Sequence, residues 1–457
     1  MAEAAIIARV VATAMDVDAT AWNTLLAAQS HPTPFMRHEY LAALEESDSA
    51  TPRTGWAPRF MTLWKGEELI AACPLYLKNH SYGEYVFDWA WASAYEQHGV
   101  PYYPKAVVAV PFTPVPGTRL MARDDAARAL LVQAVCQWCE DENVSSVHIL
   151  FASDDDVLTS AQQDLMLRHT VQFHWKNVAP TLPAARGSLP HAGEGAPTSP
   201  ARGALTALGR PGGGENVPPE LPASSAALIP EESSPVGGES QPFTDFDHFL
   251  ASLAQDKRKK IRQERRRVAD AGVTFRWSRG ADIIAADWDF FYRCYERTYL
   301  EHGNPPYLTR DFFARMAAHM PEAWLLFVAE RDGQPIASSL IAISALPSSA
   351  SGQKDQNFVA YGRYWGALER VDCLHFEACY YQPLQWCIDH GVQRFEGGAQ
   401  GEHKMARALL PVQATSAHWL AHPAFAEAVE RFLQREGSGV ESYLSELQAR
   451  SPFKATT

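Results

Sequence analysis

Apolar and polar positions recur along this chain in nearly the same order twice. In the first half, "IIARVV" predicts a strand, and Asp18 stands where it can cap a helix over "ATAWNTLLAAQ". "RFMTLWKGEELIAACPLYLK" then reads as two strands about a Lys65-Gly66 turn. A helix from about Asp124 to Glu142 and the strand "SSVHILF" follow. The second half opens with a helix from about Asp245 to Ala271. Its Phe246, Phe249, Leu250, Leu253, Ile261 and Val268 share one side. After the strand "VTFRWS" come the helices "DWDFFYRCYERTYLEHG" and "RDFFARMAAHM". A hairpin, "WLLFVAERDGQPIASSLIAIS", turns at Asp332-Gly333. The strand "FVAYGRYWG" leads to a helix from about Leu374 to His390, with Asp372 as its cap and Gly391 just past its end, and then to "VQRFEGG". Strands and helices so mixed predict an α/β or α+β fold. The repeated order, hairpin, strand, helix, strand, points to an internal duplication.

Between the halves the pattern stops. Residues 184–241 are dominated by Pro, Gly, Ser and Ala, a composition that cannot bury enough apolar surface to offset its ordering entropy. They read as a disordered linker or insertion between two domains, 1–183 and 242–457. A shorter polar interruption, "ALPSSASGQKDQ", falls inside the second.

Composition narrows the choice of partners. Hydrophobic residues make up 46% and charged residues 20% of 457, enough for globular cores. A formal net charge of -13 argues against DNA binding driven by overall charge, though a local basic patch remains open. Seven cysteines, an odd number, do not form a disulfide framework. Cys136 and Cys139 lie inside an amphipathic helix, Cys373, Cys379 and Cys387 lie on or near another, and no metal site is expected. The first residues carry no basic region before their apolar run, and no apolar segment has the length of a membrane span. A cytoplasmic location is expected, with at most transient contact with a membrane surface.

Three stretches carry candidate chemistry. "KRKKIRQERRR", 257–267, has eight basic residues in eleven; Lys257, Arg258 and Arg262 could neutralise a phosphorylated substrate or an RNA backbone. The plainer reading is a solvated helix face. In "YGRYWGALERVDCLHFEACYY", His375 and Glu377 fall in the first turns of a helix, beside the strand carrying Arg363 and Tyr364. Capping polarity alone would also explain them. "RFEGGAQGEHK" places Glu396 at a strand end, where sites of α/β sheets gather. Gly397, Gly398 and Gln400 then give a flexible bend before Glu402, His403 and Lys404. A carboxylate or imidazole there could take a proton from an attacking amine, and Lys404 and Arg407 could hold a negative group. Signatures of serine hydrolases, P-loop nucleotidases, zincins and Rossmann dehydrogenases are absent.

These stretches, with "PFTPVPGTRL", resemble a family of bacterial N-acyltransferases of the GNAT superfamily associated with peptidoglycan biosynthesis. More distantly, the order ending in "FEGG" resembles the Fem-type aminoacyl transferases. The resemblance implies two tandem GNAT-like domains. It also implies transfer of an acyl or aminoacyl group to an amine, with acyl-CoA or aminoacyl-tRNA as donor and no permanently bound cofactor. The acceptor would be a small molecule or a cell-wall precursor. The turn "WGALERVDCLHF" lacks the glycines by which GNAT enzymes hold the CoA pyrophosphate, and an aminoacyl-tRNA suits the basic helix better. Glu396, Glu402 or His403 would then be the base, and Arg363, Tyr364 or backbone near Gly362 would meet the oxyanion. Two alternatives stay open: a noncatalytic recognition protein on the same scaffold, and a metal-dependent hydrolase using His375, Glu377, Glu402 and His403.

Overall fold

The structure is a computed structural model that describes residues 5–178, 241–344, 358–399 and 401–454. The predicted insertion, apart from Gln241, lies outside them, as do "ALPSSASGQKDQ" and Gln400. The first half supplies strands β1 (Ile6–Val11), β2 (Trp56–Pro58), β3 (Phe60–Lys65), β4 (Glu68–Cys73) and β5 (Leu75–Lys78). It continues with β6 (Lys105–Val108), β7 (Met121–Ala122), β8 (Ser146–Ala152) and β9 (Met166–Lys176). The second half supplies β10 (Val273–Arg279), β11 (Trp324–Arg331), β12 (Gln334–Ile343), β13 (Val359–Ala367), β14 (Arg394–Ala399) and β15 (Leu410–Leu420). The β11–β12 hairpin forms where its turn residues dictate: Asp332 and Gly333 take φ of 53° and 72°, matching the twist of the strands they join.

A four-stranded sheet runs β1-β3-β4-β7, and an eleven-stranded sheet runs β10-β11-β12-β13-β14-β9-β15-β8-β6-β5-β2. Within the larger sheet each half contributes one parallel pair, β6 with β8 and β13 with β14. The last strand of each half crosses over. β9 lies between β14 and β15, and β15 lies between β9 and β8, with a long antiparallel register from Leu410 opposite His174 to His418 opposite Met166. The mixed α/β class and the paired-half plan expected from the sequence are therefore present, joined by an exchange of strands. The described residues up to Val178 and from Pro242 onward form one compact unit.

One face of the larger sheet is covered by helices from both halves. Tyr40, on the helix His38–Glu46, meets Phe312 of Arg310–His319 edge to face at 5.2 Å, and Phe35 meets Tyr361 at 5.3 Å. Each such buried ring contributes about 1.5–3 kcal/mol through burial. The opposite face buries Trp175, Phe249, Phe327 and Phe395 in a second cluster.

Two expectations need correction. The helix expected over Asp245 to Ala271 is two, Phe246–Ser252 and Gln255–Asp270. The chain breaks because Leu253 bridges Phe453 and the Ala254 N–H donates to Pro452 O at 2.9 Å. All six predicted apolar positions are nonetheless buried. The second concerns the later helix, where Asp372 is exposed and makes no cap; Cys373, at φ 66°, precedes the first turn. That helix runs Leu374–Phe376, widens over Glu377–Tyr381 and resumes as Gln382–Asp389. Pro383 has no N–H to donate, so one regular bond is missing where the wide turn ends.

Candidate active site

β13 and β14 run side by side only over Val359–Tyr361 and Arg394–Glu396. Beyond that β13 stays with β12 and β14 with β9, so the two strands part. The register with β12 skips Arg363: Leu340 faces Tyr364 while Ile341 faces Gly362, a bulge that re-aims the side chains around it. Past the parting lies a cavity of about 140 Å³, whose walls include Ser339, Arg363, His375, Cys379, Tyr380, Phe395 and Gly397. A second cavity, about 300 Å³, is lined by Tyr295, Thr298, Tyr299, His302, Asn304 and Tyr307. Arg363, Tyr364 and Trp365 belong to both and form the wall between them.

Close backbone approach makes this geometry. A Cβ on Gly366 would lie 1.9 Å from Cys294 O, so only glycine lets the helix Ala285–Glu301 lie against β13. That contact brings Tyr295, Thr298 and Tyr299 to the larger cavity, and Thr298 Oγ1 donates to Trp365 O at 2.9 Å. Gly397 is equally constrained: a Cβ there would meet Leu409 Cδ2 at 2.3 Å.

His375 is the one histidine among the described residues that line the smaller cavity. Its ring lies edge-on to Trp365 at 5.4 Å and to Tyr380 at 5.7 Å. Burial first, then the positive surroundings of His403, Arg407 and Lys404, lower its pKa to about 4, so the imidazole is neutral near pH 7. The Cys379 thiol is pushed far up by burial, which leaves it without thiolate character. Arg363 donates through Nη2 to Phe112 O at 2.9 Å and to Thr113 Oγ1 at 3.4 Å, bracing β13 against the first half.

Other predicted residues turn elsewhere. Side chains alternate along a strand, so Phe395 and Gly397 face the cavity while Glu396 faces away. There Glu396 pairs with Arg394 at 3.0 Å, lies 3.9 Å from His174 Nε2, and is raised to about 7, chiefly by burial. Glu377 is buried against Arg265 Nε at 3.1 Å and Gln382 at 2.8 Å, with its pKa raised by burial. Glu402 is exposed and accepts from Tyr443 at 3.0 Å and Arg450 at 3.3 Å, both on or just past the terminal helix Pro423–Ala449. Arg407 is buried, lies 3.6 Å over the Phe376 ring and pairs with Glu264 at 2.8 Å, which ties the loop to the basic helix.

Lys404 donates to Gly397 O at 2.6 Å and Gly398 O at 3.2 Å, and burial lowers its pKa to about 8. His403 is exposed, with Tyr380 OH 3.4 Å from its Nε2. On the basic helix, Lys257 pairs with Asp256 at 3.0 Å, Arg262 lies 3.7 Å from Asp247, and Arg258 is half-buried. The structure thus brings Arg363, Tyr364, His375 and Gly397 to the cavities, with His403 and Lys404 behind them. The tyrosines of the larger cavity were missed. Their signal was the i, i+4 spacing of Tyr295 and Tyr299, with Tyr307 in the loop beyond. Among the described residues no group of three or more His, Cys, Asp or Glu is placed to hold a metal ion.

Residues 13–181 and 238–455 match the FemAB-like family, described as peptidoglycan biosynthesis/recognition. The chain belongs to that family. Solved structures similar to it include FemX, at 8% identity over 91% of this chain and 98% of that one, with a TM-score of 0.48. A tandem GNAT protein from the clavulanic acid biosynthesis pathway is 11% identical over 92% and 99% of the two chains, TM-score 0.41. L-PGS from Bacillus licheniformis is 10% identical over 92% and 97%, TM-score 0.43. No curated protein matches the chain closely enough to count as a relative. No helix among the described residues is long and apolar enough to cross a membrane.

Proposed function

We propose that this protein is an N-acyltransferase whose second half, 242–457, moves an acyl or aminoacyl group onto an amine of a cell-wall precursor. The observation that carries the reading is the slot between the parted strands β13 and β14, with a neutral imidazole in its wall. A donor carbonyl entering the slot meets backbone of β13 that has no neighbouring strand on that side, where amide groups can stabilise a developing oxyanion. The acceptor amine attacks the carbonyl carbon. The new C–N bond forms as the C–S bond of a thioester, or the C–O bond of a tRNA ester, breaks. The proton lost by nitrogen passes to His375 and on to the departing thiolate or ribose oxygen. Lys404 positions the slot by holding the carbonyls of Gly397 and Gly398. The exposed cations of Gln255–Asp270, which adjoin the loop through Glu264 and Arg407, support a polyanionic donor such as aminoacyl-tRNA.

The test is incubation of the full chain with labelled acyl-CoA and with aminoacyl-tRNA in parallel, scoring label on amine acceptors. Product is expected from one donor, falling about 100-fold in His375→Ala. A second reading, recognition without transfer, is favoured by the lack of any carboxylate among the described residues lining either cavity. Binding of a precursor with no product from either donor would establish it in place of the first.

A further inference from the structure

The larger cavity is lined by a positive charge that no carboxylate among the described residues balances. The guanidinium of Arg363 is bonded only to neutral groups, the Phe112 carbonyl and the hydroxyls of Thr113 and Tyr364, and lies 5.2 Å from the Phe35 ring and 5.1 Å from that of Tyr364. Its Nε is buried with no hydrogen-bond partner, and among the described residues no carboxylate pairs with it. Arg363 is half-buried, and a cation partly removed from water without a counter-charge is costly. Arg363 also lines a cavity of about 300 Å³ that opens to solvent beside the exposed His302 and Asn304. The remaining walls are Thr298 and the rings of Tyr295, Tyr299, Tyr307, Tyr364 and Trp365.

We infer that this cavity is a carboxylate-recognising subsite, in which Arg363 holds the carboxylate of an amino acid or short peptide and the aromatic walls pack on its body. This rests on the reading of the adjoining slot as the place of transfer, and it assigns the larger cavity to the acceptor. One guanidinium among phenol rings suits a planar monoanion, which it can meet through the N–H groups not already bonded to Phe112, Thr113 and Tyr364. A phosphate dianion would call for further cations, and among the described residues no lysine or second arginine lines this cavity. The size fits one or two residues rather than a whole precursor. The slot lies on the other side of the Arg363–Trp365 wall, so a bound carboxylate would anchor an acceptor whose amine reaches past that wall.

The experiment is binding rather than turnover, so it remains informative if no donor is ever found. Glycyl-alanine, its C-terminal amide and inorganic phosphate are each titrated into the full chain, followed by Trp fluorescence and calorimetry. The free acid should bind about ten- to a hundred-fold more tightly than the amide, as expected for a charged hydrogen bond. Arg363→Gln should abolish that preference, and Arg363→Lys should keep part of it. Circular dichroism of both variants must match the parent; if Arg363→Gln fails to fold, the Lys variant and the acid-to-amide ratio of the parent decide. Equal binding of acid and amide, tighter binding of phosphate, no binding of the acid, or a preference that survives Arg363→Gln would each overturn the assignment.

Discussion

Each half of the molecule carries one parallel strand pair, and the two pairs end differently. In the second half β13 and β14 part beyond Tyr361 and Glu396, and a cavity occupies the opening. In the first half β6 and β8 are paired up to Val108 and Ile149, and the gap beyond them is sealed. Gly117 bridges Ala152, and its N–H donates to Phe151 O at 3.1 Å. The fully buried Arg119 then donates through Nε to Leu150 O at 3.0 Å, through Nη1 to Gly117 O at 3.3 Å, and through Nη2 to Val115 O. Asp156 fixes the segment by accepting from the Arg119 N–H at 2.6 Å. In one half a buried arginine ties the segment that fills the gap, through Val115 O and Gly117 O, to the strand beside it, through Leu150 O. In the other an arginine stands in a cavity wall with a donor to spare. The same strand arrangement thus leaves a cavity in one half and is filled in the other by a segment that Gly117, Arg119 and Asp156 hold in place.

The comparison can be broken first at Arg119. Arg119→Met leaves several buried carbonyls without donors and should cost about 3–5 kcal/mol in urea denaturation. A loss below about 1 kcal/mol would remove the sealing role. Next, His375→Ala should slow transfer about 100-fold while changing stability by less than about 2 kcal/mol. The acid limb of the wild-type rate should lie near the lowered His375 pKa of about 4 rather than 6.5, because the imidazole accepts protons only above it. A limb near 6.5 that persists in the Ala variant would remove His375 as the base.

A smaller effect is expected at Glu396. Its folded pKa of about 7 exceeds the ordinary 4.5, so the folded chain holds this proton more tightly than the unfolded chain does. Its contribution favours folding at acid pH and is lost as pH rises from about 4.5 to 7. Glu396→Gln should flatten that part of the stability profile by on the order of 1–3 kcal/mol and leave transfer within about two-fold. A large loss of transfer at unchanged stability would return Glu396 to the site. The smallest effect belongs to exposed Glu402: Glu402→Gln should change stability by less than about 0.5 kcal/mol and the rate by less than about two-fold.

What could be read in the sequence depends on how local its cause is. The turn at Asp332-Gly333 and the cap at Asp18, which accepts from the Ala21 N–H at 2.7 Å, are set by neighbouring residues and were legible. β9 and β15 were not, because each is completed only by a partner from the other half, and Arg168, Thr170, Gln172 and His174 dilute the apolar signal of β9. The helices Trp89–Gln97, Asp154–Gln162 and Pro423–Ala449 were likewise not assigned. Arg363, Tyr364 and His375, singled out from a helix start and the strand beside it, line the cavities. Glu396 was misplaced because the alternation of the strand was not followed through Phe395 and Gly397. Glu402 and Arg407 were misplaced for another reason: their partners Tyr443, Arg450 and Glu264 are distant in sequence. The tyrosines of the larger cavity have the helical spacing of ordinary core residues, and nothing in that spacing shows that they border an opening.

Amide hydrogen exchange of the full chain, with and without a saturating donor, tests the contrast between the halves most directly. Slowed exchange is predicted over Gly362–Trp365 and Gly397–Gly398, with no change over Ala109–Val115. Protection in the first-half segment, or none at the parted strands of the second, would contradict the account.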